Sequence, residues 1–202
     1  MGYLILIAGL PGTGKTTFAR YLSGKMNVPM ASKDILKEHL FDTLGFKNRN
    51  EKVALGIAAA DILYHFAEIH LEIGQPVILE NNFENVSKPG LLKLIEKFKC
   101  KTVTVRFQTD PAVLAERFKI RDSLPERHRG HVVNTQYPEA RGPGQDPLSY
   151  ESAEIYPASY FTAMNERGMA VFTVGGPLII VDTTDFSKIS YESIYDEIMT
   201  MV

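Results

Sequence analysis

The chain has 202 residues, 45% of them hydrophobic and 23% charged, with a formal net charge of −2. That length suits one compact α/β domain over residues 1–202, and the charge balance argues against a surface built to coat nucleic acid or membrane. Cys100 is the lone cysteine, which excludes a disulfide framework or a cysteine-rich metal site and fits a reducing, cytoplasmic setting.

The apolar run at residues 3–8 is too short for a membrane span, has no basic stretch before it and leads into a glycine-rich turn. It is expected to be a buried strand, and no other segment approaches a charge-free membrane span. Phe18, Leu22 and Met26, spaced by four, give the next helix a core-facing stripe. A short apolar segment at 28–31 leads to a second helix with Ser32 as its N-cap. A longer helix over about 51–73 places Val53, Ile57, Ala60, Tyr64, Ala67 and Leu71 inward, with Asp61, His65, Glu68 and Glu72 on the wet face. Gly74 and Pro76 stop it.

Residues 76–79 read as another buried strand, ending in Glu80-Asn81-Asn82. A helix over about 87–98, a strand over 102–107 and a helix capped by Asp110-Pro111 and running to about Arg121 follow. From 122 to about 150, prolines and glycines break every regular pattern while arginine and histidine cluster, so a long loop or lid insertion is expected there. Residues 151–170 are expected to be partly helical, the last strand covers 178–181, and a C-terminal helix begins near Ser187. Strand–helix alternation predicts a three-layer α/β fold, a mostly parallel sheet with helices on both faces.

Gly9-Leu10-Pro11-Gly12-Thr13-Gly14-Lys15-Thr16 matches G-x-x-x-x-G-K-[ST] at every fixed position, between a buried strand and an amphipathic helix. The glycines let backbone N–H groups curl around phosphates, and the helix N-terminus adds favourable partial charge. Lys15 reaches the β- and γ-phosphates of a nucleotide, and the Thr16 hydroxyl ligates Mg²⁺. Together with Thr17 these residues predict an ATP and Mg²⁺ site.

Asp34 starts a helix at the sheet end where open α/β folds bind ligands. A carboxylate there can orient an acceptor hydroxyl and take its proton; the alternative is a first-turn aspartate favoured by the helix dipole. Glu80 ends an apolar strand as a Walker B acid does, positioned for Mg²⁺ or for the acceptor, while Asn81 and Asn82 suit either substrate or a turn. Lys37 reads as a surface charge. Arg117 and Arg121 share a helix face and lead into Arg127, His128, Arg129 and His131. Arginines suit a phosphoryl group whose charge spreads over three oxygens, whereas the positive surroundings of His128 and His131 disfavour a zinc site. Tyr137, Tyr150, Tyr156 and Tyr160 read as core of the insertion rather than as an acceptor seat.

Through Gly9–Thr17, Ser32-Lys33-Asp34, Glu80-Asn81-Asn82 and the arginine-rich start of the insertion, the chain resembles P-loop kinases of the AAA_33 type, related to polynucleotide kinase, chloramphenicol phosphotransferase and zeta toxins. The resemblance implies strand order 2-3-1-4-5, an acceptor-side role for Asp34, Arg117 beside adenine, Arg121, Arg127 and Arg129 facing phosphates, and Thr183 and Thr184 near the base. An ordinary polar turn explains the two threonines equally well. The function expected is transfer of the ATP γ-phosphate to a hydroxyl, on a small molecule by preference or on a polynucleotide 5′ end, with no membrane partner. An ATP-hydrolysing switch acting on a partner is the alternative; the sequence leaves the oligomeric state open.

Overall fold

The protein is described by a computed structural model covering residues 2–139 and 158–202, with backbone alone at 158–161. Five strands, β1 (Tyr3–Gly9), β2 (Met30–Ser32), β3 (Val77–Glu80), β4 (Lys101–Gln108) and β5 (Leu178–Asp182), form one sheet in the order β2-β3-β1-β4-β5, as expected. Every neighbouring pair is parallel, with Ile7 opposite Glu80 and Val105, and Gln108 opposite Asp182. Parallel pairing needs a crossover between strands, and the helices supply it. These are α1 (Lys15–Met26), α2 (Lys33–Leu44), α3 (Arg49–Glu72), α4 (Lys88–Phe98), α5 (Pro111–Asp122), the single turn α6 (Arg129–Val132), α7 (Ala158–Glu166) and α8 (Tyr191–Met199).

Alternation along β1 divides the core. Ile5 and Ile7 join Phe18 and Leu22 of α1 and Ile194 and Ile198 of α8 on one face. Leu4, Leu6 and Ala8 join Leu63 and Ala67 of α3 and Leu91 and Leu94 of α4 on the other. A smaller cluster of Leu10, Leu114, Phe118, Met164 and Met169 lies under the end of the sheet where β1 becomes the glycine-rich loop.

Three expectations change. The inward stripe of α3 is Lys52, Ala59, Leu63, Ala67 and Leu71, while Val53 and Ile57 are 51% and 60% exposed. Ile62 and Ile69 are exposed too, so apolar residues surround this helix and their spacing does not fix its phase. By length and composition α3 also qualifies as a membrane span, although no such segment was expected anywhere in the chain; its buried stripe packs within the core beside the sheet. Third, Ser187 lies in a 3₁₀ turn, Phe186–Lys188, and the last helix starts at Tyr191 with Ser190 capping it by accepting from the Ser193 amide at 3.2 Å. Of the insertion, residues 122–139 are described; 140–150, with Tyr150, Tyr156 and the Tyr160 side chain, lie outside the described residues.

Gly9 closes β1 with φ +121°, and a Cβ there would lie 2.0 Å from the Phe107 carbonyl oxygen of β4. Both conformation and space demand glycine. Gly9→Ala is expected to cost at least about 3 kcal/mol, read as a lower midpoint in urea unfolding.

Candidate active site

The glycine-rich loop turns on Gly12 and Gly14, at φ +79° and +83°, and Gly14 is the N-cap of α1. No side chain caps that helix end, so its first amides remain for a ligand. Thr13 is fully buried and its hydroxyl donates to the Leu10 carbonyl at 2.6 Å, fixing the loop from below. Pro11 is half-buried and Thr17 exposed at the loop's mouth. The Lys15 ammonium, 4% exposed, donates to the same Leu10 oxygen at 2.6 Å. Burial lowers Lys15 to about 8; Glu80 and Asp34 oppose that shift and Arg121 adds to it.

Glu80 is delivered by the end of β3, beside Ser32 at the end of β2. Its Oε2 accepts from Thr16 Oγ1 at 3.1 Å and from Ser32 Oγ at 2.5 Å. Ser32 does hold the N-cap position of α2, but its hydroxyl makes no cap bond; it reaches the carboxylate instead. Burial raises the Glu80 carboxyl above its ordinary value, while Lys15 and the two hydroxyls pull it back and Asp34 adds to the rise. A hydroxyl and a carboxylate side by side are the hard oxygen donors that Mg²⁺ takes, and one or two carboxylates beside substrate phosphates suffice for that ion. Among the described residues no group of three or more His, Cys, Asp or Glu forms a cage.

Asp34 follows two residues later, in the first turn of α2. Burial works against its ionisation, but His131, Lys37, Lys15 and Arg127 more than offset that, and the carboxyl lies below its ordinary value. It is therefore ionised at neutral pH. Lys37 is half-buried rather than a free surface charge, with its ammonium over the Phe41 ring at 5.2 Å; burial lowers it, Asp34 opposes, and Lys33 and Arg127 add to the lowering. Asn81 is buried and its Oδ1 accepts from the Asn82 amide at 2.8 Å, a local turn contact.

The arginines separate by location. Arg121 lies beside the loop, its Nη1 3.9 Å from where a Gly12 Cβ would be, and its Nε donates to Asp122 at 2.8 Å. Arg127 Nε lies 3.3 Å from the same Asp122 oxygen, an ion pair lacking hydrogen-bond geometry, and burial and Arg121 lower its pKa. Arg117, one turn earlier on α5, faces the turn after β5; it donates to the Thr183 and Thr184 carbonyls at 2.6 and 3.2 Å and stacks 4.0 Å from the Phe186 ring centroid. Arg129 is committed to Glu139 through two hydrogen bonds of 2.8 and 2.7 Å.

The start of the insertion is docked on α2 and α3. His131 meets Glu38 at 2.9 Å, His128 meets Asp42 at 3.0 Å, and the Tyr137 hydroxyl donates to Asp42 at 2.7 Å. Phe46 and Tyr137 exchange backbone hydrogen bonds of 2.8 Å in each direction. Gly130 allows this approach, since a Cβ there would come within 2.4 Å of the Phe41 ring. Beneath them, buried Lys52 donates to the His131 and Val133 carbonyls at 2.9 and 2.5 Å and to Asn134 Oδ1 at 3.1 Å. Lys52→Met keeps the stem but withdraws that donor, and is expected to lower unfolding free energy by about 2–3 kcal/mol in urea titration.

Sequence reasoning missed Ser32, Lys37 and Phe186 as site residues, and the acidic partners of the two histidines. Glu38 and Asp42 stand 93 and 86 residues from them, beyond any local spacing rule. A signal for Ser32 was its place, two residues before Asp34 at a strand end.

A profile for AAA_33, an AAA domain, matches residues 4–138, two-thirds of the chain, and the protein belongs to that family. A solved protein of Chloroflexus aurantiacus, provisionally named a kinase, is 28% identical over 100% of this chain and 98% of its own, with a TM-score of 0.81. Chaetomium thermophilum Kti12, solved with ADP-AlF₃, shares 18% identity over 98% of each chain at a TM-score of 0.57. The Mycobacterium tuberculosis APS kinase, solved with AMPPNP and APS, shares 14% over 99% of this chain and 96% of its own at 0.54. These last two are similar in fold. No curated protein sequence matches. The fold and family are those of P-loop kinases, as the motifs implied.

Proposed function

We propose that the protein is an ATP-dependent kinase that transfers the γ-phosphate to a hydroxyl of a small molecule in the cytosol. The observation that carries this reading is the meeting of Lys15, Thr16, Glu80 and Asp34 at the carboxyl end of the sheet, with the Thr16–Glu80 contact at 3.1 Å and Asp34 acting electrostatically on both Lys15 and Glu80. A switch that only hydrolyses ATP needs no second carboxylate there; Asp34 supplies one on the acceptor side. Family membership and the 28% identical relative named as a kinase support the same choice.

In this reading the backbone N–H groups of residues 9–17, Gly9 through Thr17, other than Pro11, which has none and only shapes the turn, cradle the phosphates, and Lys15 exchanges the Leu10 oxygen for them. Thr16 and Glu80 would hold Mg²⁺, which when bound would neutralise phosphate charge. Asp34 orients the acceptor hydroxyl and takes its proton as the acceptor oxygen bonds to the γ-phosphorus, the β–γ bridge breaks and ADP leaves. Arg121 and Arg127 face the transferred group, Arg129 joins them on exchanging Glu139 for phosphate, and Arg117 and Thr183 serve the base side. Asp34, with cations about it, suits a compact acceptor more than a nucleic-acid strand, for which the net charge of −2 offers no wider basic channel.

The test is transfer of label from γ-labelled ATP to a panel of small hydroxyl compounds, beside a 5′-hydroxyl oligonucleotide. Acceptor-dependent label on a small compound is the expected result. Label on the oligonucleotide alone would reassign the acceptor, and acceptor-independent phosphate release alone would favour the switch.

A further inference from the structure

Ser32 and Glu80 face each other across β2 and β3, paired in register, so their side chains leave the same face of the sheet. Ile78, two residues back on β3, belongs to the cluster that Phe18 and Leu22 of α1 complete, so that face is the one α1 covers. Thr16 lies in the first turn of the same helix. Ser32 and Glu80 are 3% and 4% exposed, and the Ser32 hydroxyl donates to Glu80 Oε2 at 2.5 Å. Thr16 donates to the same oxygen at 3.1 Å. One carboxylate oxygen therefore takes both bonds, and Oε1 accepts none from the described residues.

The arrangement is made at the expense of α2. Ser32 stands at its N-cap with the extended backbone that position takes, yet the helix begins without a side-chain cap because the hydroxyl is turned to the neighbouring strand. The length of the acid explains the diversion. A glutamate has one more rotatable bond than an aspartate and loses more rotamer freedom when it is ordered. Held by Thr16 alone, its carboxylate could swing about a single bond. A short charge-assisted bond from β2 adds a second attachment, and two donors on different elements fix where Oε2 lies and where Oε1 points.

We infer that Ser32 is the positioning residue of the metal site: its hydroxyl holds Glu80 so that Oε1 is turned to the ion that Thr16 and Glu80 would bind. Ser32 touches neither metal nor nucleotide in this role. Groups hydrogen-bonded to a metal's ligands orient them, and losing one typically weakens the metal by about 10–100-fold. The role rests on the Mg²⁺-binding part of the proposed function and is independent of the acceptor and of Asp34.

The experiment is calorimetric titration of the full chain with AMPPNP, in EDTA and at a series of Mg²⁺ concentrations, for wild type, Ser32→Ala, Glu80→Gln and the double variant. The Mg²⁺ concentration that gives half the gain in affinity is expected to rise about tenfold or more in Ser32→Ala, with affinity in EDTA within about twofold of wild type. At fixed Mg²⁺, Ser32→Ala is expected to add less than about twofold to the dissociation constant of Glu80→Gln, because the two residues act as one unit. An unchanged Mg²⁺ dependence in Ser32→Ala would overturn the role and leave the kinase reading intact. An equal loss in EDTA would also overturn it, making Ser32 a support of the phosphate loop, as would a full further loss in the double variant. A wild type that binds AMPPNP equally with and without Mg²⁺ would overturn the role together with the metal-binding reading beneath it. Failure of AMPPNP to bind at all would remove the nucleotide reading as well.

Discussion

Lys15→Met is expected to lower phosphoryl transfer by about a thousandfold, because it removes a preorganised charge at the phosphates while leaving the side chain's volume in place. Turnover with the acceptor identified by label transfer reads this directly. The same substitution has a pH signature in the nucleotide-free protein. Lys15 is held at about 8, below its ordinary 10.5. Between those values the unfolded chain keeps a proton that the folded chain has lost, so unfolding free energy rises with pH across about 8–10.5, by about 3 kcal/mol at most from this group. Urea titrations at a series of pH values should show the rise in wild type and lack its Lys15 component in Lys15→Met. Affinity for ADP moves oppositely, falling as pH climbs above about 8 because the phosphates need the ammonium charged; that fall disappears in the variant. A rate loss below tenfold would remove Lys15 from the transfer step.

Asp34→Asn is expected to reduce transfer by about 10²–10⁴ while leaving ADP affinity unchanged, since asparagine keeps the size and an acceptor oxygen but cannot take the acceptor's proton. With burial opposing ionisation and His131, Lys37, Lys15 and Arg127 outweighing it, the wild-type carboxylate stays charged well below neutrality. An acid limb of the rate near neutral pH therefore belongs to another group than Asp34; burial lowers His131 below its ordinary value, while Glu38 and Asp34 oppose that shift and Arg127 and Lys37 add to it. Comparable turnover by Asp34→Asn would make Asp34 a helix-capping charge only.

The sheet and its phosphate loop were legible because both are local signals: runs of apolar residues 4–8 long, and a motif with four fixed positions. Strand order came from resemblance and matches the observed pairing. Elsewhere the signal was ambiguous in a physical sense. Val53 and Ile57 fit an inward stripe on α3 as well as Lys52 and Ala59 do, and only the packing on α2 and the sheet separates the two phases. Ser32 has the residue type and place of an N-cap, yet a carboxylate 48 residues on attracts its hydroxyl more strongly. Lys37 reads as solvated from its charge alone, and its half-buried place over Phe41 depends on how α2 packs. Phe186 carries no motif, and its importance follows from Arg117, which a different helix brings to its face.

In the proposed function the base side of the site is assembled from β5 and the turn behind it, whereas the phosphate loop follows β1. Residues 9–16 thus leave the ribosome some 170 residues before Thr183 and Phe186, and β4 waits exposed along the edge that β5 will cover, its Thr104–Gln108 ladder unpaired. A nascent chain in that state presents a hydrophobic parallel edge and an incomplete nucleotide seat, so cellular ATP can reward folding only after the final strand arrives. Synthesis speed through residues 140–180 then sets how long the chain depends on chaperones, and slowing translation there should raise the aggregated fraction.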